Sequence, residues 1–473
     1  MISTKNKLFS SKILNSRIIS EDITGKERWL GYFIAPVLIM MGYTTLGGTY
    51  LNMFFTDVLK VGYIGGGLFL ALMPILSRIF GIFTNFIMGR IIDRTRSQQG
   101  KVRPWILISC PLLVITGILL YSVPQANSMV QVIWIIISYN LFFSIAFTMY
   151  NMSNILMIPL STRNSKHRDK LAVINNAGAT MVPGTLGTII FPMLILPWLG
   201  VNHEKWLTVM SIISILILPG ILLQYYFTKE RIIENIDKTE SEIKTQTLWQ
   251  QSKGCFSSRY WVIAMIIILL FNFINGYQAI CMVYYANWVL GSYNDGITMV
   301  LINAIGQSPM GIGVFLLWPL VKKHGKRNIM LIGCVIAIIG LAFCIVYSRN
   351  LVMVLVFCFI RSFGYLPGMV LMAMHADVLD HVERLNGFRC DGFSASLYGI
   401  IIGITVGLCQ GIFNFFLSIT GYIPPATDGS IVVQNSSVQN FFIGSFFGVP
   451  MVLFILIAFL LLFYNIEKKI PKT

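Results

Sequence analysis

Carboxamides recur inside apolar stretches of this chain at helical spacing. Asn272, Asn275 and Gln278 stand at i, i+3 and i+6, and Asn303 and Gln307 at i, i+4. Tyr150, Asn151, Asn154, Asn175 and Asn176 fall in two neighbouring stretches. An amide both donates and accepts hydrogen bonds, which is what sugar hydroxyls require. Tyr284, Tyr285 and Trp288 follow Gln278 and offer ring faces for a pyranose. The competing use of such amides is to bond one helix to another. Two arginines, Arg78 and Arg361, also interrupt apolar stretches. A charge there costs at least about 2.5–3.5 kcal/mol unless paired or hydrated, and none of the 19 acids falls at the same depth. One reading gives these arginines an anionic solute, since guanidinium grips a carboxylate in a bidentate way. The other has them bonding backbone carbonyls and water, or snorkelling. The candidate solute contacts are therefore Arg78, Asn151, Asn154, Asn176, Asn272, Asn275, Asn303 and Arg361. For a coupling ion, Thr84, Asn85 and Asn151 could present neutral oxygens to Na⁺, and His375 could carry a proton.

Catalysis has no comparable footing. The sequence lacks H-E-x-x-H, G-x-S-x-G and nucleotide-binding loops, so neither an enzyme nor a cofactor site is expected. Five histidines are dispersed, and the eight cysteines (110, 255, 281, 334, 344, 358, 390, 409) contain no C-x-x-C pair. No metal site or disulfide framework follows.

The elements that hold these residues are written in the composition. Of 473 residues, 56% are hydrophobic and only 11% charged, against about 25% charged in soluble domains. Soluble, fibrous and disordered classes are excluded. At about 20 apolar residues per membrane span, the chain furnishes roughly a dozen. Apolar stretches predict helices near 30–55, 63–89, 104–124, 129–159, 171–199 and 205–227, then 261–290, 296–320, 328–347, 350–375, 393–420 and 438–465. The polar segment 228–258 separates them six and six. The expected organisation is a basic tail (1–28) without the apolar core of a signal peptide, a bundle (29–227), a central loop (228–258), a second bundle (259–465) and a tail (466–473). Placing both termini inside puts 30 of the 35 Lys and Arg in inner segments, as the positive-inside rule requires. The net charge of +16 thus reports topology in a cytoplasmic membrane, with the lipid bilayer and not nucleic acid as partner. A monomer is expected.

The halves echo each other. G-R-I-I-D-R-T-R-S-Q-Q-G-K-V-R-P (89–104) follows the second helix, and P-L-V-K-K-H-G-K-R-N (319–328) the eighth. Asp93, Arg94, Arg96, Lys101 and Arg103 are expected to form an inner loop that latches the halves. Six plus six helices with matching basic loops predict an all-α polytopic major facilitator fold of 12 transmembrane helices, whose halves rock about a midplane site.

A closer resemblance lies in F-F-T-D (54–57), I-M-G-R-I-I-D-R-T-R-S-Q-Q-G-K-V-R-P-W (87–105) and A-D-V-L-D-H-V-E-R-L-N-G-F-R-C-D-G-F-S-A-S (376–396). These resemble the glycoside–pentoside–hexuronide:cation symporters, over about 30–465. The resemblance implies a permease for a sugar, glycoside or hexuronide driven by a cation gradient. The departures are concentrated in charge. In the family's R-x-x-D-x-x-x-D pattern of the second helix, Arg78 matches but Gly81 and Asn85 replace both acids. Met41, Asn151, Asn176 and Gly403 stand where family members carry charged residues in the first, fourth, fifth and eleventh helices. Two other readings stay open: a carrier of amphipathic or lipid-like solutes on the same scaffold, and a sensor that binds a solute without moving it.

Overall fold

The computed structural model describes residues 15–61, 64, 67–95, 97–162, 164–232, 248–291, 296–388, 390–425 and 432–466. Among them there is no strand. The helices are α1 (Glu27–Val58), α2 (Leu68–Arg94), α3 (Arg103–Tyr121), α4 (Ser128–Ser161), α5 (165–199), α6 (His203–Tyr226), α7 (Arg259–Leu290), α8 (Gly296–His324), α9 (Lys326–Val346), α10 (Leu351–Asn386), α11 (Asp391–Ile419) and α12 (Ser436–Phe463). Among the described residues, ten of these helices hold a stretch long and apolar enough to cross a bilayer. Their outward faces keep isoleucine, valine and phenylalanine exposed (Ile115, Ile133, Ile215, Val335, Ile339, Phe459). Such a surface is stable only against lipid. Both described chain ends lie at one end of the bundle, called the near end below. Arg17 donates its N–H to the Tyr226 carbonyl there, and Tyr464 its hydroxyl to that of Met374.

Small residues let helices of one half approach closely, since lipid gives little hydrophobic drive to pair them. Gly220 of α6 packs on Leu38 and Ala35 of α1, and Gly340 of α9 on the backbone of Arg361 in α10. Two helices are broken at mid-span. In α1 the helical path is interrupted at Gly48, whose backbone is extended. In α10 a 3-10 turn, Leu366–Val370, contains Pro367, which has no N–H to give the helix. Freed backbone groups at membrane depth are tolerated where they line a cavity or are buried in protein; Gly48 lines a cavity, and the α10 turn packs against Gly333 of α9 and Phe271 of α7.

The basic loops bind within their own halves. The N-terminus of α3 has no cap from its own segment. Instead the Glu230 carboxylate accepts the N–H groups of Lys101, Val102 and Arg103 at 2.9, 2.8 and 2.8 Å. Gly100 (φ +106°) leaves the space that this carboxylate fills. The Arg103 guanidinium donates to the Tyr225 carbonyl at 2.9 Å and lies over the Tyr225 ring. Next along, Arg231 forks onto Glu27 at 2.7 and 3.0 Å and reaches the Ser161 carbonyl. In the second half, Lys326 pairs with Asp377 at 2.6 Å and Arg327 caps the α12 carbonyls of Leu461 and Leu462. The described contacts of Lys101 and Arg103 tie α3 to α6 and to Glu230, 127 or more residues away in sequence but on the same half. Arg94 is exposed, while Arg96 and the Asp93 side chain lie outside the described residues. The central segment also divides. Residues 228–232 belong to the first half, and a short helix, Leu248–Phe256, bonds to the second through Gln251 with Phe393 and through the Gly254 carbonyl with Asn386.

Candidate functional site

A cavity of about 340 Å³ lies between the halves. The first half lines it with Thr44, Thr45, Gly48 and Tyr50 from α1 and Pro183, Gly184 and Gly187 from α5. The second contributes Asn275, Gln278, Ala279, Met282 and Val283 from α7, Ile302 and Asn303 from α8, Arg361, Ser362 and Tyr365 from α10, and Phe446 from α12. The wall thus sets hydroxyls, amides, ring faces and one guanidinium among apolar side chains, with no carboxylate among the described residues. The break at Gly48 turns Tyr50 to the cavity, and the 3-10 turn follows directly on Tyr365.

Of the solute contacts expected from sequence, Asn275, Asn303 and Arg361 meet on this wall. Asn275 donates to the Phe271 carbonyl one turn back at 2.8 Å, and the residue is exposed. Its carbonyl oxygen therefore remains for a ligand. Gln278 is committed elsewhere: its amide donates to the Phe446 carbonyl at 2.9 Å and accepts from the Tyr365 hydroxyl at 2.8 Å. It holds two wall residues in place. Replacing Asn275 with leucine should lower solute affinity about tenfold, the loss of roughly one hydrogen bond to a ligand, while Tm stays unchanged; equal affinity in a binding titration would remove Asn275 from the site.

The remaining expected contacts do not line the cavity. Asn154 accepts from Gln224 at 2.6 Å, joining α4 to α6, and Asn272 bonds the Ile268 carbonyl. Asn151 is half-buried and Asn176 exposed. Arg78 lies 5.3 Å from the Phe143 ring centroid, and its Nε is buried without a hydrogen-bond partner among the described residues. Of the proposed Na⁺ oxygens, Thr84 turns its hydroxyl to the Gly81 carbonyl and Asn85 is exposed. His375 is buried near the near end, its Nε2 at 2.7 Å from the Ser394 hydroxyl, which also accepts from the Trp261 indole. The Gln307 side chain lies outside the described residues. Sequence reasoning missed Thr44, Thr45, Gly48, Ser362 and Phe446. Only the Gly47-Gly48 pair, within a span and next to two threonines, carried a signal.

Among the described residues, a chain of hydrogen bonds joins the halves at the far end. Asn414 donates to Asn52 at 2.8 Å, Asn52 to the Tyr284 hydroxyl at 2.9 Å, and Tyr284 and Thr56 bond at 2.8 Å. Thr56 and Tyr422 both donate to Asp57, at 2.7 and 3.0 Å. The chain runs from amides through hydroxyls to a carboxylate, an order in which each bond polarises the next. Asp57 is 1% exposed. Glycines close the same seam: Gly407 and Gly411 of α11 sit against the backbone of Pro74 and Ala71 in α2, and Gly296 of α8 against that of Pro192 in α5. Tyr284→Phe removes the middle hydroxyl and leaves buried partners unsatisfied, at about 1–3 kcal/mol each. The expected result is a far end that opens more often, seen as faster labelling of a cavity cysteine by an impermeant maleimide added on that side.

A bundle of six and six helices around a cavity between the halves, which hydrogen bonds join at the far end, has the architecture of a secondary transporter. The chain belongs to the family described as MFS/sugar transport protein, which matches residues 31–468. It is 26% identical over 441 residues to the isoprimeverose transporter of Lactiplantibacillus pentosus, covering 90% of this chain and 86% of that protein. It is 23% identical to the glucuronide carrier protein homolog of Escherichia coli, covering 83% and 84%. To the putative sulfoquinovose importer of Salmonella typhimurium it is 25% identical, covering 80% and 78%. Among solved structures, the D-xylose–proton symporter superposes with a TM-score of 0.59 at 14% identity, over 92% of this chain and 96% of that one. That likeness supports the shared fold.

Proposed function

We propose that this transporter moves a sugar, glycoside or hexuronide across the cytoplasmic membrane by alternating access, with the two bundles (29–227 and 259–465) as the rocking bodies. The observation that carries the reading is the cavity itself: amide, hydroxyl and ring groups converge there from both halves, the chemistry a polyhydroxylated ring needs. The names of the relatives point to the same class of solute. The near end is assigned to the cytoplasm on the distribution of Lys and Arg. The conformer is then the one closed to the outside by Tyr284, Asn52, Asp57 and Tyr422. Coupling to Na⁺ or H⁺ belongs to the proposal, and the carrier acts as a monomer.

The test is uptake of labelled isoprimeverose and of a glucuronide by proteoliposomes, with Na⁺ and pH gradients imposed separately. Accumulation above the external concentration under one gradient identifies the coupling ion. A purified, folded protein that moves no sugar, glycoside or sugar acid under any gradient would refute the reading.

A further inference from the structure

We infer that the solute carried is a monoanion seated on Arg361, and that return of the empty carrier is the slow step of net transport. The inference rests on the transport reading above and narrows its substrate. Arg361 is 7% exposed and lies on the cavity wall. Its guanidinium carbon is 5.6 Å from the Tyr365 ring centroid and 5.3 Å from that of Phe446. Ring faces stabilise a cation without accepting a hydrogen bond at its edge, and Nη1 is buried with no hydrogen-bond partner. Among the described residues no carboxylate shares the wall and none accepts a hydrogen bond from Nη1. Behind it, Cys344 and Cys358 are hydrogen-bonded to each other, Sγ to Sγ 3.9 Å. Arg78, whose Nε is likewise buried without a partner among the described residues, does not line the cavity, which leaves Arg361 as the arginine a solute there can reach.

Its surroundings are built to hold it still. Gly340 brings α9 against the Arg361 backbone, where a Cβ would come within 2.7 Å of the Arg361 Cβ. Gln278 clamps both flanking residues, Tyr365 through its hydroxyl and Phe446 through its carbonyl. A planar cation fixed in this way suits an oxoanion, whether carboxylate or sulfonate. Asn275, Asn303, Thr44 and Thr45 stand around it for hydroxyl groups of the same solute. The kinetic consequence follows from charge. When the cavity closes empty, the guanidinium loses water with nothing in exchange; when it closes on a monoanion, the site is neutral. Exchange of solute for solute is therefore expected to exceed net uptake by roughly ten- to a hundredfold, equivalent to about 1.4–2.8 kcal/mol.

The experiment uses the full chain in proteoliposomes with three probes: 4-nitrophenyl β-D-glucuronide, its neutral glucoside isostere, and methyl sulfoquinovoside. Binding is read by ligand-induced thermal stabilisation, and flux with and without the same probe inside. The expected result is binding of at least one anion ten times or more tighter than the glucoside, with exchange faster than net uptake. The two anions separate carboxylate from sulfonate. Arg361→Gln should erase the preference for charge, and Arg361→Lys should retain its sign with weaker binding, which guards against simple misfolding. The inference is overturned if the glucoside binds as well as both anions, or if Arg361→Gln keeps the preference, which would mean that the guanidinium is balanced within the protein, for example by Cys358. Uptake of neutral sugars alone would overturn this inference and leave the transport reading standing; no flux of any sugar would end both.

Discussion

Leucine in place of Gly411 is expected to reduce transport about a hundredfold in a protein that still folds. In the observed state α11 meets α2 at this glycine, and an added Cβ would overlap the Ala71 carbonyl and come within 2.8 Å of Ile75. A backbone atom cannot swing aside as a side chain would. Overpacking a tight contact costs typically about 1–3 kcal/mol. Here the cost falls only on the state in which the far-end seam is shut, because opening that end separates α2 from α11. About 3 kcal/mol applied to one of two alternating states shifts their ratio by roughly a hundredfold. The carrier then rests open at the far end, and a cysteine introduced at Asn303 should react quickly with an impermeant maleimide from that side. Gly411→Ala should give a smaller shift in the same direction. Wild-type flux with Gly411→Leu would show that the halves do not part along this seam.

The second large effect concerns stability. Glu230→Ala strips the N-terminus of α3 of one carboxylate that satisfies three backbone donors. Hydrogen bonds to a charged group contribute about 1.5–3 kcal/mol each when isolated, and the helix dipole adds a little more. Because one group serves all three and water replaces part of the loss, a net destabilisation of about 2–3 kcal/mol is expected. Spread over a bundle of some 200 residues, that lowers Tm by roughly 5–10 °C. Glu230→Gln keeps an acceptor without the charge and should fall between. A melting curve of Glu230→Ala within 1 °C of wild type would show that the cap does not contribute.

Neither residue drew notice in the sequence, for the same reason. Gly411 is one of 40 glycines and Glu230 one of several acids in a polar segment. What makes each matter is a partner far along the chain: Ala71 for one, the 101–103 amides for the other. The basic loop 89–104 was recognisable as a unit. That its amides cradle a carboxylate from beyond α6 was not, because a run of cations in sequence draws attention to charge and not to the N–H groups between them. The same limit applied to the amides. Asn154, Asn272 and Asn275 share residue type and setting, yet the first bonds Gln224, the second its own helix, and only Asn275 reaches the cavity.

Composition, the length of apolar stretches and the placement of Lys and Arg determined on their own that this is a polytopic helical carrier of two six-helix halves. Those features are local or additive: burying apolar residues in lipid and keeping cations on one side need no knowledge of which helix touches which. The tertiary structure alone decided which polar groups line the cavity, which arginine stands on its wall and where hydrogen bonds join the halves. Those depend on the rotation of each helix about its axis and on breaks such as Gly48, set by packing between segments hundreds of residues apart.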